Sequence, residues 1–207
     1  MQPTRHPAGI QPNSRSQKDD TTMKTLLIAG HPDLSQSIAN ATILEEAGKA
    51  LPDMTIRKLC EVAPDGRFDV AAEQAALAGA EFIVWQFPFH WYAMPWFMKK
   101  WLDEVFVFGF AYGTGAKLGG KKLLVSVTTG APEAAYTGGP GSVGDIRHFV
   151  AAFESIAKVC GLEYMGAMWV NGMSYAADEE GIARQKAKAR EHAAKLIARI
   201  REIRGKE

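Results

Sequence analysis

The sequence predicts an α/β fold, a three-layer sandwich in which a five-stranded parallel sheet is covered by helices on both faces. Two observations support this prediction. Short apolar runs of β type alternate along the chain with segments whose apolar residues recur at helical spacing, and internal repeats are missing. Such alternation is typical of parallel strands joined by crossover helices. We expect the strand order 2-1-3-4-5 and a single domain over residues 23–207.

The first two pairs of strand and helix are expected within residues 24–80. The run KTLLIA at 24–29 ends at a glycine and predicts the first strand, and apolar residues along one face of 37–51 predict the helix after it. Residues 54–59 form a second β-type run. The helix at 70–80 follows from composition, because VAAEQAALAGA is rich in residues of high helix propensity.

The third pair contains most of the tryptophans and phenylalanines. Residues 82–87 are almost wholly apolar, as in a strand buried on both faces, and Pro88 would end its ladder hydrogen bonds. A helix is expected from 95 to about 108, with apolar and charged side chains on opposite faces. The loop 89–92 therefore places three aromatic rings where no regular element hides them.

The last two pairs follow a glycine-rich connection. Residues 123–128 predict the fourth strand, and after a long loop a stripe of apolar residues in 146–160 predicts a helix with one buried face. Residues 164–170 predict the fifth strand. The final helix is expected over 178–204, with Asp178 capping its N-terminus.

Composition excludes several classes of protein. A chain of 207 residues with 47% apolar residues can form one full core, and a formal net charge of +1 argues against a dedicated nucleic-acid surface. Prolines and a lysine interrupt the longest apolar stretch, so no membrane span is expected. Cys60 and Cys160 lack the spacing of a metal site or a disulfide framework, and a reduced, cytoplasmic setting fits them best.

The first residues, 1–22, are expected to be a disordered extension. They are rich in Pro, Ser, Gln and charge, and they lack the apolar segment of a secretory signal. The folded domain is therefore expected to begin near Met23.

Three loops that leave strand ends carry residues from which a site could be built. They are 30–40, 87–92 and 128–136. In the order 2-1-3-4-5, strands 1, 3 and 4 are neighbours, and ligands of open α/β sheets bind outside the carboxyl ends of the strands where the strand order reverses. The three loops are therefore expected to form one pocket.

The first of these loops, GHPDLSQSIAN, suits a phosphate group. Hydroxyl groups and backbone N–H groups at a helix N-terminus are common partners of such an anion. His31 and Asn40 would donate hydrogen bonds, and Ser37 would serve as hydroxyl ligand and N-cap. The motif is neither GxGxxG nor a Walker A loop. The alternative is that a serine only caps the helix while His31 bonds to backbone.

The other two loops suit a flat, electron-accepting ring such as isoalloxazine. Phe89, His90, Trp91 and Tyr92 offer aromatic faces and main-chain amides, although a subunit interface would have the same composition and the two roles are compatible. The loop after the fourth strand offers N–H groups to the ring edge that becomes negative on reduction. Tyr136 could donate a proton or orient a substrate. A mobile surface loop with an ordinary tyrosine is the alternative.

Taken together, these motifs resemble those of the flavodoxin-like NAD(P)H:quinone oxidoreductases. This is the family of DT-diaphorase and of the small bacterial quinone reductases that act as ancillary subunits of glutathione-gated potassium efflux. The resemblance covers nearly the whole chain from Met23 onward, and the implied fold is the flavodoxin-like sandwich. The motifs that carry it are AGHP with Ser37 and Asn40 downstream, the aromatic stretch at 80–113, and VTTG at 127–130.

The resemblance implies a non-covalently held flavin, FMN or FAD, with NADH or NADPH as electron donor. The donor and a quinone would use the same pocket in turn, so hydride would pass through the flavin by a two-electron ping-pong mechanism. A homodimer whose interface helps to form that pocket is also implied. The compact chain favours FMN, although Arg184 at the start of the last helix could reach a second phosphate.

Carried onto this sequence residue by residue, the resemblance implies three groups of flavin contacts and one catalytic residue. The phosphate and ribityl side would be held by His31, Ser37, Ile38, Ala39 and Asn40. One ring edge would be lined by Phe89, His90, Trp91 and Tyr92, and the other would bond Thr128, Thr129, Gly130 and Ala131. The position of the active-site tyrosine is that of Tyr136.

The sequence departs from the animal enzymes of the family after this tyrosine. They carry a histidine shortly downstream, whereas here the stretch reads GGPGS and the next histidine, His148, is expected on a helix. The acceptor, whether quinone, azo dye or nitro compound, stays open. The alternative function is a flavin-loaded ancillary subunit of a potassium-efflux system, a peripheral partner of a membrane transporter in which catalysis is secondary.

Overall fold

The computed structural model describes residues 23–174 and 178–205. Its centre is a parallel sheet in the order β2-β1-β3-β4-β5, which confirms the predicted fold class and strand order. The predicted extension at 1–22 lies outside the described residues. The strands are β1 (Thr25–Ala29), β2 (Thr55–Lys58), β3 (Phe82–Pro88), β4 (Lys122–Thr128) and β5 (Glu163–Val170).

The α-helices of the described chain are α1 (Ile38–Ala50), α2 (Leu59–Val62), α3 (Val70–Gly79), α4 (Trp96–Val105), α5 (Ile146–Val159) and α6 (Glu179–Arg204). All of the predicted helices are present. The one-turn helix α2 and two short 3-10 helices, Leu34–Gln36 and Glu133–Tyr136, were not predicted. Asp178 caps α6 as predicted, since its side chain accepts a hydrogen bond from the N–H of Gly181.

The helix that was predicted to reach about residue 108 ends at Val105 instead. Phe106 is the first residue outside it, and its N–H makes the last helical hydrogen bond, to Leu102. The Phe106 ring packs into the core, with its centroid 5.9 Å from that of Trp85 and 5.5 Å from that of Trp101. The end of the helix thus coincides with the packing of this ring against the core.

Successive residues of the central strands pack against two different helical layers. Leu27, Val84 and Leu124 belong to a core that includes the buried faces of α1 and α6. Trp85 and Val125, their neighbours in sequence, belong to the core formed with α3, α4 and α5. The strands are buried on both faces, as the apolar runs indicated. None of the helices within 23–174 and 178–205 combines the length and apolarity needed to cross a bilayer.

Gly30 ends β1 where α4 approaches the sheet. A Cβ atom at this position would lie 2.2 Å from Sδ of Met98, a side chain that is fully buried. The N–H of Gly30 also continues the sheet by donating to the carbonyl of Gln86 at 2.8 Å. The glycine is therefore required for close packing of α4 against the end of the strand that leads into the first loop.

A buried carboxylate joins the edge of the sheet to the layer of α3 and α4. Glu73 accepts hydrogen bonds from the guanidinium of Arg57 and, at 3.0 Å, from the indole N–H of Trp101. The carboxylate is buried, whereas the Arg57 side chain is 25% exposed. Because the charge is both paired and hydrogen-bonded, its burial is compatible with a stable fold.

Candidate functional site

A cavity of about 250 Å³ opens beyond the carboxyl ends of β1, β3 and β4. It lies where the strand order reverses, next to the boundary between β1 and β3, which is the usual ligand position in open α/β sheets. Its lining is formed by His31, Gln36, Ser37, Ile38, Ala39, Asn40, Pro88, Phe89, His90, Thr128, Gly130, Met173, Ser174 and Gln185.

One end of the cavity is formed by the N-terminus of α1. Ser37 caps the helix, because its Oγ accepts a hydrogen bond from the N–H of Asn40 at 3.1 Å. Ile38 and Ala39, the first two helical residues, also line the cavity. The N–H groups of a first turn have no intrahelical acceptor and carry the positive end of the helix dipole. This end of the cavity is therefore suited to an anion.

His31 presents a hydrogen-bond donor at the same end. The N–H of Asp33 donates to Nδ1 of His31 at 3.1 Å, so the proton of the neutral ring resides on Nε2. Burial, followed by the neighbouring ring of His90 at a centroid distance of 6.3 Å, lowers the pKa of His31 to about 4. At neutral pH His31 can thus donate one hydrogen bond without carrying a charge.

A buried network of side chains supports this end of the cavity from below. Asn40 Nδ2 donates to Ser37 Oγ at 3.2 Å and to Thr128 Oγ1 at 3.1 Å. Asn40 Oδ1 accepts a hydrogen bond of 2.9 Å from Nε2 of Gln86 in β3. The network joins α1, β3 and β4, so it fixes these cavity residues relative to the sheet.

The turn after β3 places Trp91 and Tyr92 outside the cavity lining. His90 and Ala93 form an antiparallel pair, with N–H to O distances of 3.0 and 3.2 Å, and the two residues between them have φ values of 52° and 65°. Left-handed backbone at both positions is the geometry of a type I′ turn, which favours Asn and Gly. Trp91 is 92% exposed. Residues held in such sparsely populated backbone conformations often cluster at functional sites.

Tyr136 is a buried residue of an aromatic cluster that includes Tyr92 of this turn. Its ring centroid is 6.5 Å from that of Tyr92 and 6.2 Å from that of Phe149, and the rings of Tyr92 and Phe149 stack at 5.1 Å. Burial raises the pKa of Tyr136, an effect that a side-chain hydrogen bond with Thr129 partly opposes. The phenol therefore keeps its proton at neutral pH. His148, the next histidine in the sequence, is exposed on α5.

Thr129 and Ala131 hold the chain that follows β5. Oγ1 of Thr129 donates to Oδ1 of Asn171 at 2.8 Å. The N–H of Gly172 donates to the carbonyl of Ala131, and that of Met173 donates to the carbonyl of Thr129, each at 2.8 Å. These bonds bring the segment after β5 to the cavity and direct the two residues away from its lining.

Most of the predicted binding residues meet around the cavity. Those that line it are His31, Ser37, Ile38, Ala39, Asn40, Phe89, His90, Thr128 and Gly130. Those that do not are Trp91, Tyr92, Thr129, Ala131 and the predicted catalytic residue Tyr136.

The sequence interpretation missed the contribution of β5 and α6. Met173 and Ser174 line the cavity because β5 is the neighbour of β4, so its carboxyl end reaches the same edge of the sheet. That adjacency was the available signal. Gln185 reaches the cavity from α6 and donates to the carbonyl of Ser174, and a glutamine on an amphipathic helix gives no such signal. Arg184 is exposed, pairs with Glu180 and does not line the cavity.

A doubly wound parallel sheet, with a helix N-terminus and an aromatic loop beside a cavity at its switch point, is the arrangement of a flavodoxin-like protein. The chain belongs to the Flavodoxin_2 family, whose description is a flavodoxin-like fold and whose model matches residues 23–193.

Several relatives of known name cover most of the chain. The glutathione-regulated potassium-efflux system ancillary protein KefF of Klebsiella pneumoniae (strain 342) is 37% identical over 173 residues, which are 83% of this chain and 94% of KefF. General stress protein 14 of Treponema denticola, solved in complex with FMN, is 33% identical with a TM-score of 0.74, over 85% of this chain and 99% of its own. An NADPH-quinone reductase from P. pentosaceus is 27% identical with a TM-score of 0.68, and the match covers 83% of this chain and 98% of the reductase.

Proposed function

We propose that this protein is an FMN-dependent NAD(P)H oxidoreductase that passes electrons to a quinone-type acceptor. The observation that carries the proposal is the cavity itself, which unites the α1 N-terminus, His31 and the aromatic loop after β3. The relative solved with FMN and the relative named as an NADPH-quinone reductase support it.

The residues at the α1 end fit the phosphate of FMN. The first-turn N–H groups, the Ser37 hydroxyl and Nε2–H of His31 are all donors, and a phosphate offers only acceptors when it is fully ionised. Asn40 holds Ser37 in place from within the helix. FMN is favoured over FAD because Arg184, the candidate for a second phosphate, is paired with Glu180 away from the cavity.

The residues at the other end would hold and tune the ring system. When bound, the flavin would accept hydride from NADH or NADPH in one half-reaction and pass two electrons to the acceptor in the other. Phe89 and His90 would lie along one edge of the flavin ring. Thr128 and the backbone of Gly130 would form hydrogen bonds with the other edge, as the resemblance to the family implies. Charge that develops on that edge would be stabilised by such N–H groups.

Tyr136 would act on the acceptor side. Its protonated hydroxyl can donate a hydrogen bond to a carbonyl oxygen of a quinone and orient the ring, and its packing against Tyr92 and Phe149 fixes its direction. Trp91 and Tyr92 would form the wall against which donor and acceptor are placed. By orienting donor and acceptor in this way, the protein would contribute to the rate enhancement.

The proposed function is tested on the purified protein. Its absorption spectrum should show flavin, and heat should release a compound with the mass of FMN. With NADH or NADPH and benzoquinone, double-reciprocal plots should be parallel, as a ping-pong mechanism requires. Tyr136→Phe should retain FMN but lose about tenfold or more in kcat/KM for the acceptor. Colourless protein that cannot be reconstituted with FMN would contradict the proposal.

A homodimer is part of the proposal. Trp96 and Phe108, at the two ends of the α4 segment, are 66% and 67% exposed, and Val159 at the end of α5 is 66% exposed. We infer that these side chains are buried in a subunit interface, which would remove their apolar surface from water. A second copy is the expected occupant, and light scattering after size exclusion should give twice the mass of the chain. The thiols of Cys60 and Cys160 are free, and a cytoplasmic setting is part of the proposal.

A second candidate function rests on the relative named as a potassium-efflux ancillary protein. In this case the flavin-loaded protein would bind a membrane transporter peripherally, and catalysis would be secondary. Tight association with such a transporter, combined with negligible quinone turnover by the FMN-loaded protein, would favour this function over the first. High turnover without association would favour the enzyme.

A further inference from the structure

Gln86 is a polar residue in a strand that is otherwise apolar. It is 1% exposed, and Phe82 and Val84, which precede it on the same face of β3, belong to the apolar core beneath α1 and α6. Its Nε2 donates to Asn40, but its Oε1 is buried and has no hydrogen-bond partner among the residues that the structure describes. An unpaired buried carbonyl opposes folding, so stability alone does not account for a glutamine here.

The hydrogen bond from Gln86 sets the orientation of the Asn40 amide. Because Nε2 of Gln86 is a donor, it faces the oxygen of Asn40, and Nδ2 of Asn40 is directed to Ser37 and Thr128. The two ends of an amide have nearly the same shape. An apolar side chain at position 86 would therefore leave the Asn40 amide free to present either end to its other neighbours.

The orientation of Asn40 in turn sets what Ser37 can do. Ser37 Oγ accepts two hydrogen bonds, from the backbone N–H and from Nδ2 of Asn40, at 3.1 and 3.2 Å. A hydroxyl has two acceptor positions and one proton. With both acceptor positions used, Ser37 can only donate into the cavity that it lines.

We propose that Gln86 is a positioning and specificity-determining residue for the flavin phosphate. Through Asn40 it makes the Ser37 hydroxyl a donor, which matches a phosphate that carries only acceptors and selects FMN over riboflavin. This inference rests on the proposed function, because it takes FMN as the ligand. Gln86 itself does not line the cavity and acts only through its two neighbours.

The ratio of the dissociation constants for riboflavin and FMN tests the inference. Gln86→Leu should weaken FMN by about tenfold, the loss of one hydrogen bond to a charged group, and should change riboflavin by less than twofold. Its melting temperature should stay close to that of the wild type, since the change removes the unpaired carbonyl of Gln86 but takes the donor from the buried Oδ1 of Asn40. Gln86→Met, which keeps the length of the side chain, serves if the leucine variant does not fold. Both constants are measured by flavin fluorescence.

Two comparisons separate positioning from a general effect on the fold. Ser126→Ala removes a buried polar group from the neighbouring position on β4, which is bonded to His192 and not to Asn40, and it should leave the ratio unchanged. In a Ser37→Ala background, Gln86→Leu should have no further effect on the ratio, because the two residues act in series.

Each outcome bears on the inference. Equal weakening of both ligands by Gln86→Leu, no weakening of either, or additive effects with Ser37→Ala would overturn it while leaving the proposed function intact. Wild-type protein that binds neither FMN nor riboflavin would overturn the proposed function and this inference together.

Discussion

Ser126 in β4 and His192 in α6 share a hydrogen bond of 2.8 Å between Oγ and Nε2, and both side chains are buried. Burial, with the nearby charge of Lys195 as the smaller cause, lowers the pKa of His192 to about 4. The ring is therefore neutral at pH 7. His31, in the loop after β1, has its pKa lowered to about 4 for the same main reason.

These two histidines make the fold sensitive to acid. In the unfolded chain a histidine titrates near 6.5, so between pH 6.5 and about 4 the unfolded state binds more protons and the free energy of unfolding falls as pH falls. Each histidine should account for a loss of about 2 kcal/mol by pH 4.5. Urea unfolding at pH 7.5, 5.5 and 4.5 measures it. His192→Gln, which can still bond Ser126, should remove roughly half of the dependence; an unchanged slope would contradict the assignment.

His31 should contribute a hydrogen bond to FMN rather than a charge. His31→Gln keeps an N–H donor and should bind FMN within about threefold of the wild type, whereas His31→Leu should lose about tenfold. Fluorescence titration at pH 7.5 provides the constants. Equal losses in the two variants would mean that the donor at this position does not meet the ligand.

Trp91 is expected to lower the stability of the fold through its left-handed backbone and to favour flavin binding through its side chain. Trp91→Gly should raise the free energy of unfolding of the flavin-free protein by about 1 kcal/mol, because glycine adopts the left-handed backbone at this position without strain. The same variant, and Trp91→Ala, should retain less flavin after gel filtration. If neither change alters flavin retention, Trp91 does not contact the flavin. Phe108→Ala would then be examined, with the mass of the dimer as the measurement.

Glu73 should be important for stability but not for the site. Glu73→Gln leaves the Arg57 guanidinium without its buried counter-charge and should lower the free energy of unfolding by about 3 kcal/mol. Glu45→Gln is the matched control, since Glu45 forms an exposed pair with Lys49 on α1, and it should leave unfolding unchanged. A small effect at Glu73 would show that Arg57 finds another partner or water.

The strands could be predicted because they form short apolar or β-type runs, and most helices because their apolar residues recur at helical spacing; the helix at 70–80 followed from composition. The ends were less predictable. The end of α4 at Val105 coincides with the packing of Phe106 against Trp85, a contact between distant parts of the chain that periodicity does not indicate. The left-handed backbone at Trp91 could not be foreseen either, because its usual signal is glycine or asparagine.

The position of the cavity, and some of the residues around it, could be predicted because the strand order could be predicted. Loops after β1, β3 and β4 had to meet once the order 2-1-3-4-5 was assumed, so His31, Ser37 and Phe89 could be placed together. The part played by Gln86 was hidden, because its position in an apolar strand predicts only burial. Gln185 was hidden for the opposite reason, since polar residues on α6 resemble a solvated face.

Four of the five tryptophans of the chain divide by environment into two pairs of optical reporters, and Trp169 is intermediate in exposure. Trp85 and Trp101 are fully buried against each other, with ring centroids 6.5 Å apart, whereas Trp91 and Trp96 face solvent. Iodide should therefore quench a red-shifted part of the emission and leave a blue-shifted part. The first part would report on the turn and on contact between the subunits of the proposed homodimer, and the second would report on melting of the core. If the dimer forms, one emission spectrum of the wild-type protein should distinguish its assembly from unfolding, without a label.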